Sequence, residues 1–403
     1  MKNKIIFITC ILILVYVNRI RSQSLINTTL KGEGIDLSVN FINDFLDDVT
    51  DGIDKKPTYE GLLNPTMTLD LNRMLNWKDA KLFLSINGTL GSAFNAKVGA
   101  EQGIDNIEAY DTWKIYELWI EQNLFNKTTS LKFGLYDLNS EFDVTESSLV
   151  FLNPSQAIGV EFSQTGKNGP SIFPTTSLAL RAKYQNKSGY YAQAAIFDGV
   201  PGDPNNPSGN HIILNKNNGA LLVAEAGFAS EVDGNANSYG KYAIGCWYYT
   251  SGFKVHNVYG VDRITEKNFG FYGIAEKQIY GESNDQTQGL SMFIKLGHAE
   301  DSINKIDNFL GMGFVYKGLF KGRGEDVLGI AVAMAHTSNW YWQKLKLENT
   351  NKHRAEIDYE LTYDMHLLKW FSLQPDFQYL FNPLNNKKSK RIFIVGLRTT
   401  LKF

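Results

Sequence analysis

"RIFIVGLRTTLKF", residues 391–403, ends the chain on a segment in which apolar and polar side chains alternate. One face of this segment is apolar or aromatic and carries Phe393, Val395, Leu397, Leu401 and Phe403. Arg398 and Lys402 take the other face, as expected for a β-strand, whose successive side chains point to opposite sides. A closed barrel needs its last strand to pair with its first, which leaves no strand edge open in lipid. The segment therefore predicts a closing strand, with an ordinary edge strand as the alternative.

The period of two recurs along nearly the whole chain. "EIDYELTYDM", residues 356–365, alternates acidic residues with apolar and aromatic ones. The same alternation is found at 82–87, 116–121, 178–184, 290–297 and 328–335. In an outer-membrane barrel the apolar face meets lipid and the polar face meets a water-filled lumen. We therefore expect the carboxylates of 356–365 to face water inside a pore.

Turn signals separate these segments, among them "DGVPGDPNNPSGN" at 198–210 and "KGRGED" at 321–326. Membrane-spanning strands of about 10 residues, joined by alternating short turns and longer loops, then allow about 16 to 18 strands. The predicted fold is an all-β, transmembrane antiparallel β-barrel of about 16 strands, with short periplasmic turns and longer extracellular loops. We expect residues 61–403 to form the barrel and residues 23–60 to be a partly irregular N-terminal segment.

The first residues predict export. Lys2 and Lys4 precede an apolar run from Ile5 to Val17, which indicates a signal peptide over residues 1–22. Its cleavage would remove Cys10 and leave Cys246 as the single cysteine of the mature chain. The mature fold would then hold no intramolecular disulfide.

Composition excludes several classes of function. A formal net charge of −2 offers no basic excess to neutralise phosphates, so we expect no nucleic-acid partner. The six histidines are scattered, with no H-E-x-x-H or G-x-S-x-G motif and no cysteine cluster. We therefore expect no enzyme, no catalytic residues, no metal and no cofactor.

Several phrases resemble the carbohydrate-selective outer-membrane porins of Gram-negative bacteria, the OprB family. They are "QGIDNIEAYDTWKIYELWIEQNLF" (102–125), "LKFGLYDLNSEF" (131–142), "YYAQAAIFDGVPGDP" (190–204), "EIDYELTYDMHLLKWFSLQPDFQYLFNP" (356–383) and "IFIVGLRTTLKF" (392–403). The resemblance implies a 16-stranded barrel with a narrowed eyelet that passes monosaccharides passively into the periplasm. "SINGTLGSAFN" (85–95) lacks the arginine that some members carry in this region.

A pore that favours sugars needs charged groups that hydrogen bond to hydroxyls beside an aromatic surface. By alternation, the lumen-facing candidates are Glu117, Trp119, Glu121, Arg181, Lys183, Glu356, Asp358, Glu360 and Arg398. Trp119 lies between two carboxylates on the polar face and is the candidate stacking surface. The alternative is a network of charges that only stiffens the barrel wall.

The leading hypothesis is an outer-membrane porin for passive diffusion of small carbohydrates, monosaccharides such as glucose, through a charged, aromatic-lined lumen. The alternatives are a nonspecific general diffusion porin and a secreted, soluble β-rich glycan-binding protein. Expected partners are small carbohydrates, outer-membrane lipid and the barrel-assembly machinery, the last through the strand that ends in Phe403. A homo-oligomer is left open.

Overall fold

The structure, a computed structural model, describes residues 32–50, 57–91, 93–230, 239–256, 264–265, 267–347, 353–385 and 391–403. The predicted signal peptide, residues 1–22, lies outside these residues. The strands are β1 Ile35–Asp48, β2 Thr58–Asp70, β3 Ala80–Leu90, β4 Thr112–Leu124, β5 Thr129–Tyr136, β6 Ser177–Gln185, β7 Tyr190–Asp198, β8 Ala220–Ser230, β9 Gly240–Tyr249, β10 Phe253–Lys254, β11 Ile264–Thr265, β12 Asn268–Gly281, β13 Gly289–Ala299, β14 Ile306–Lys317, β15 Val327–Thr337, β16 Ala355–Leu368, β17 Phe371–Phe381 and β18 Arg391–Lys402.

Sixteen of the described strands form one closed antiparallel barrel, and β10 pairs with β11 outside it. The last strand pairs with the first in a register that aligns Phe45 with Leu397 and Phe41 with Leu401. Val39 and Phe403 exchange backbone hydrogen bonds of 3.0 and 2.9 Å. The predicted barrel and its closing strand are therefore confirmed.

The two faces of the wall differ in chemistry, as the period of two predicts. Large apolar side chains remain exposed on the outside: Phe45, Leu180, Ile196, Leu222, Ile244, Phe271, Leu296, Ile330, Tyr359 and Leu397. Buried polar side chains point inward: Glu60, Arg181, Glu225, Glu276, Lys295, Glu360, Asp376 and Arg398. Such an apolar exterior is the surface that a lipid bilayer requires.

The longest connections between strands of the barrel all lie at one rim. Residues 125–128, 186–189 and 369–370 join strands at the first rim, whereas residues 91–111, 137–176 and 199–219 join strands at the second. By the usual arrangement of outer-membrane barrels, the first rim is periplasmic and the second extracellular.

The α-helices of the described residues are short: α1 Leu71–Leu75, α2 Phe94–Val98, α3 Pro154–Ala157, α4 Val160–Ser163 and α5 Asn339–Leu347. Among the described helices none is both long and apolar enough to cross a membrane. Three 3₁₀ turns, Leu138–Ser140, Ser147–Val150 and Lys216–Asn218, complete this set.

The barrel begins at Ile35, inside the predicted N-terminal segment 23–60 and earlier than the predicted boundary at 61. Leu46 is buried and points inward, whereas Phe45 is exposed on the outer face. Leu46 packs in an apolar cluster with Phe94 and Leu152, which come from the long connections after β3 and β5. Because an apolar side chain takes a lumen position here, the alternation of β1 is hidden in the sequence.

Candidate functional site

Two of the long connections fold into the barrel. We call residues 93–111 the first inserted segment and residues 137–176 the second inserted segment. The backbone N–H of Gln102 donates to the Glu356 carboxylate at 2.8 Å, and that of Leu152 donates to Glu360 at 2.5 Å. Both carboxylates lie on the inner face of β16, so both segments occupy part of the lumen.

The acidic row of β16 lies under these segments. Glu356, Asp358 and Glu360 take the lumen face that the alternation predicts, but their exposed fractions are 0%, 1% and 2%. The side-chain amide of Asn153 donates to Asp358 at 2.6 Å, and backbone amides cover the two glutamates. The expectation that these carboxylates face water is therefore wrong, because protein donors take the place of water.

Arg398 lies on the inner face of β18 and, like the carboxylates of β16, is buried under an inserted segment. Its guanidinium donates twice to Asp44 on β1, with Nε–Oδ1 and Nη2–Oδ2 distances of 2.9 and 2.6 Å. It also contacts Asp105 at 3.1 Å and Asn106 at 2.8 Å in the first inserted segment. A fork of fixed donors suits such multiple carboxylate contacts. Arg398 thus links the two strands that close the barrel, β1 and β18, to the first inserted segment.

A second group of charges lies on the wall formed by β3 to β6. Arg181 donates to Glu121 at 2.6 Å and to Glu141 of the second inserted segment at 2.7 Å. Lys132 bridges to Glu141 at 2.8 Å, and Lys81 bridges to Glu121 at 2.8 Å. Burial raises the pKa of Glu141, but the charges and hydrogen bonds of Lys132 and Arg181 outweigh burial and lower the pKa to about 2. Glu141 therefore stays ionised at neutral pH.

Trp119 lies beside this group and is half-buried. Its indole stacks on Phe83 of β3, with ring centroids 5.0 Å apart and an interplanar angle of 26°. The Lys132 ammonium is 4.3 Å from the indole centroid, and the indole N–H donates to Glu117 at 3.2 Å. Since β3 and β5 flank β4 on opposite sides, Phe83 and Lys132 cover the ring from both sides.

Glu117 and Lys183 are also half-buried on this wall. Glu117 accepts the backbone N–H of Asp137 at 3.2 Å, and the Lys183 ammonium is 5.6 Å from the ring centroid of Tyr191. The predicted residues therefore fall into two groups. One group belongs to β4 and β6, and the other to β16 and β18.

Part of the lumen is apolar, which the sequence did not predict. Phe162 of the second inserted segment stacks on Trp247 of β9 with a centroid distance of 5.1 Å and an angle of 6°. Phe142, Tyr272 and Val223 belong to the same buried cluster. Inward side chains of β8, β9 and β12 thus form an apolar core with the second inserted segment, and Trp119 of β4 packs against this core.

Sequence reasoning missed Phe83, Lys132 and Glu141 as members of the site. Phe83 shares its strand face with Ser85 and Asn87, so an aromatic residue on a polar face was the available signal. Nothing local marks Glu141, because its position depends on the folding of a long connection back into the barrel.

A β-bulge also changes the phase of β4. The pairing with β3 shifts between Ser85, opposite Glu117, and Ile86, opposite Ile115. Lys114 is consequently buried and points inward, on the same face as the half-buried Glu117, although the two differ by an odd number of positions. A bulge places one unpaired residue in a strand, so alternation cannot be extended through it.

A closed sixteen-stranded barrel with an apolar exterior, a charged inner wall and two segments folded into its lumen defines a porin. The family model described as "Carbohydrate-selective porin, OprB family" matches residues 54–403, and the chain belongs to this family.

The chain is similar to Porin B of Pseudomonas aeruginosa. The two are 24% identical over an alignment of 408 residues, gaps included, which covers 92% of this chain and 88% of that protein. Its fold is similar to the high-pH structure of Pseudomonas putida OprB, with a TM-score of 0.83, 22% identity and coverage of 95% of this chain and 97% of that one. The low-pH structure of the same protein gives a TM-score of 0.62, with 21% identity and the same coverage of both chains.

Proposed function

We propose that this protein lets small carbohydrates, monosaccharides such as glucose, diffuse passively into the periplasm. The observation that carries the proposal is the stacked pair of Phe83 and Trp119 on the charged wall of β3 to β6, with Glu117 and Lys81 beside it. A sugar offers an apolar ring face and hydroxyls that donate and accept hydrogen bonds, and this wall offers partners for both. Dispersed contacts suit a channel, because a solute must bind weakly enough to leave.

The predicted lumen residues take two roles in this proposal. Glu117, Trp119 and Lys183 are half-buried and would contact the passing sugar directly. The buried members would shape the path and fix its charge: Glu121, Arg181, Glu356, Asp358, Glu360 and Arg398. No chemical step is proposed, and the protein would act as a channel and not as an enzyme.

A nonspecific general diffusion porin is the second candidate. Phe83 and Lys132 cover the two faces of Trp119, which limits the indole surface that a sugar ring can reach. A lumen with charges of both signs would then pass small polar solutes with little preference.

The setting of the protein is part of the proposal. Residues 1–22 would act as a cleaved signal peptide and the barrel would enter the outer membrane of a Gram-negative cell, with lipid against its exposed apolar side chains. The terminal strand ending in Phe403 would be the contact for the barrel-assembly machinery.

Liposome swelling with the refolded protein tests the channel and its preference together. We expect glucose to enter faster than a neutral amino acid of similar size, and a disaccharide to enter more slowly than glucose. Equal rates for glucose and the amino acid would favour the general diffusion porin. No swelling with folded, inserted protein would refute a channel of either kind.

A further inference from the structure

Glu276, on the inner face of β12, holds the second inserted segment through several donors. Its carboxylate accepts the backbone N–H of Glu146 at 3.0 Å and that of Ser147 at 2.5 Å. The Ser147 hydroxyl donates to the same carboxylate. Glu276 is 1% exposed, so these donors replace the water that hydrates an exposed carboxyl group.

Glu360 repeats this arrangement on β16. Its two oxygens accept the backbone N–H groups of Leu152 and Asn153, at 2.5 and 3.2 Å. The side chain of Asn153 also donates to Asp358 on the same strand. Here a second wall strand fixes the same connection, several residues further along the chain.

A third attachment lies on β8 and β13. Glu225 on β8 accepts the backbone N–H of Asp143 at 3.0 Å and the Tyr272 hydroxyl at 2.8 Å. Lys295 on β13 is buried and donates to the backbone carbonyls of Asp143 and Ala157, at 2.7 and 2.5 Å. The wall thus supplies acceptors for the N–H groups and a donor for the carbonyls of one connection.

We propose that Glu225, Glu276 and Glu360 are positioning residues that hold the second inserted segment across the lumen and thereby set the largest solute that passes. The three strands that carry them lie on one part of the wall: β8 and β12 are separated by β9 alone, and β16 is the fourth strand beyond β12 in the barrel order. The inference rests on the proposed channel function and adds a size limit that depends on these carboxylates.

The physical reason is the strength of the attachments. An irregular segment inside a barrel exposes backbone N–H groups that must find acceptors, because leaving them unpaired in a buried site is costly. A buried N–H group that loses its acceptor costs about 1–3 kcal/mol. Replacing one carboxylate by an amide weakens the attachment and adds a donor that faces other donors. The segment should then leave the wall more often, and the pore should widen.

Single-channel recording with the full-length chain in planar bilayers tests this inference, using Glu276→Gln and Glu360→Gln. We expect substates of higher conductance whose occupancy rises about thirtyfold over the unaltered protein, which corresponds to about 2 kcal/mol for one buried N–H group left without its acceptor. Liposome swelling should show a higher ratio of trisaccharide entry to glucose entry. Glu325→Gln is the matched control, since Glu325 lies in the 318–326 turn with a side chain that is 75% exposed.

The outcomes separate this inference from the channel proposal. Folding is checked first, by the heat-dependent gel mobility of a closed barrel. Variants that fold and keep the conductance and size ratio of the unaltered protein would overturn the positioning role. An unaltered protein without any conductance would refute the channel instead. If Glu276→Gln does not fold, Ser147→Ala removes one hydroxyl donor and leaves the carboxylate in place, and it should show a smaller change in the same direction.

Discussion

Replacing Trp119 by alanine should weaken sugar binding in the lumen. The indole is half-buried, with Phe83 stacked at 5.0 Å and the Lys132 ammonium 4.3 Å from its centroid. Stacking of a nucleobase on an aromatic side chain is worth about 1–3 kcal/mol, and for a sugar ring we take the lower limit, because both faces of the indole are already partly covered. A loss of about 1 kcal/mol corresponds to an apparent dissociation constant about fivefold higher.

The assay is the reduction of ion current through the barrel in a planar bilayer as glucose is added. The matched control is Trp77→Ala, because Trp77 is 47% exposed in the turn between β2 and β3, outside the lumen. We expect Trp77→Ala to keep the dissociation constant of the unaltered protein. An unchanged constant in Trp119→Ala, with normal conductance, would refute the reasoning that this indole is part of the sugar path.

Three further predictions concern charge, packing and assembly. Arg181→Met removes one buried positive charge from the inner wall, so the reversal potential in a salt gradient should move toward cation selectivity. An unchanged reversal potential would mean that this charge does not affect the ions passing through the lumen. In Gly245→Ala the new Cβ would lie 2.0 Å from the Tyr272 ring, so the free energy of unfolding measured in urea should fall by about 1–3 kcal/mol. In Gly273→Ala the nearest atom is 4.0 Å away, so this variant should be as stable as the unaltered barrel, and equal losses in the two variants would contradict the packing argument. Deletion of Phe403 removes its backbone pair with β1 and should lower the yield of heat-modifiable barrel in cells, and an unchanged yield would contradict the proposed assembly signal.

The sequence predicts the faces of the strands well, because a membrane barrel repeats one physical requirement in every strand. Glu356, Asp358 and Glu360 point inward, and Tyr359 points outward, as the alternation indicates. The pairing of the last strand with the first also follows from the apolar face that ends at Phe403. Each of these features depends on a local period of two.

What covers the inner wall could not be predicted from this period. The contact between Leu152 and Glu360 joins residues separated by 208 positions, and no local pattern encodes it. The same holds for Leu46, whose inward position is stabilised by side chains of the inserted segments. Acidic residues expected to face water therefore turned out to anchor protein backbone.

The bulge in β4 marks a second limit of the alternation argument. One extra residue between Ile115 and Glu117 changes which side chains reach the lumen. The alternation at 117–121 assigns those side chains to the correct faces, but extending it back along the strand assigns Lys114 to the wrong face. Alternation along the sequence therefore predicts which face a side chain takes only within a stretch of strand that contains no bulge.

The entry of labelled glucose into sealed proteoliposomes distinguishes passive diffusion of a monosaccharide from active uptake and from an impermeable barrel. We predict rapid entry through the folded protein that ends at equal inner and outer concentrations and is unaffected by proton or sodium gradients. Absence of entry above empty liposomes, or accumulation beyond the outer concentration, would contradict the account.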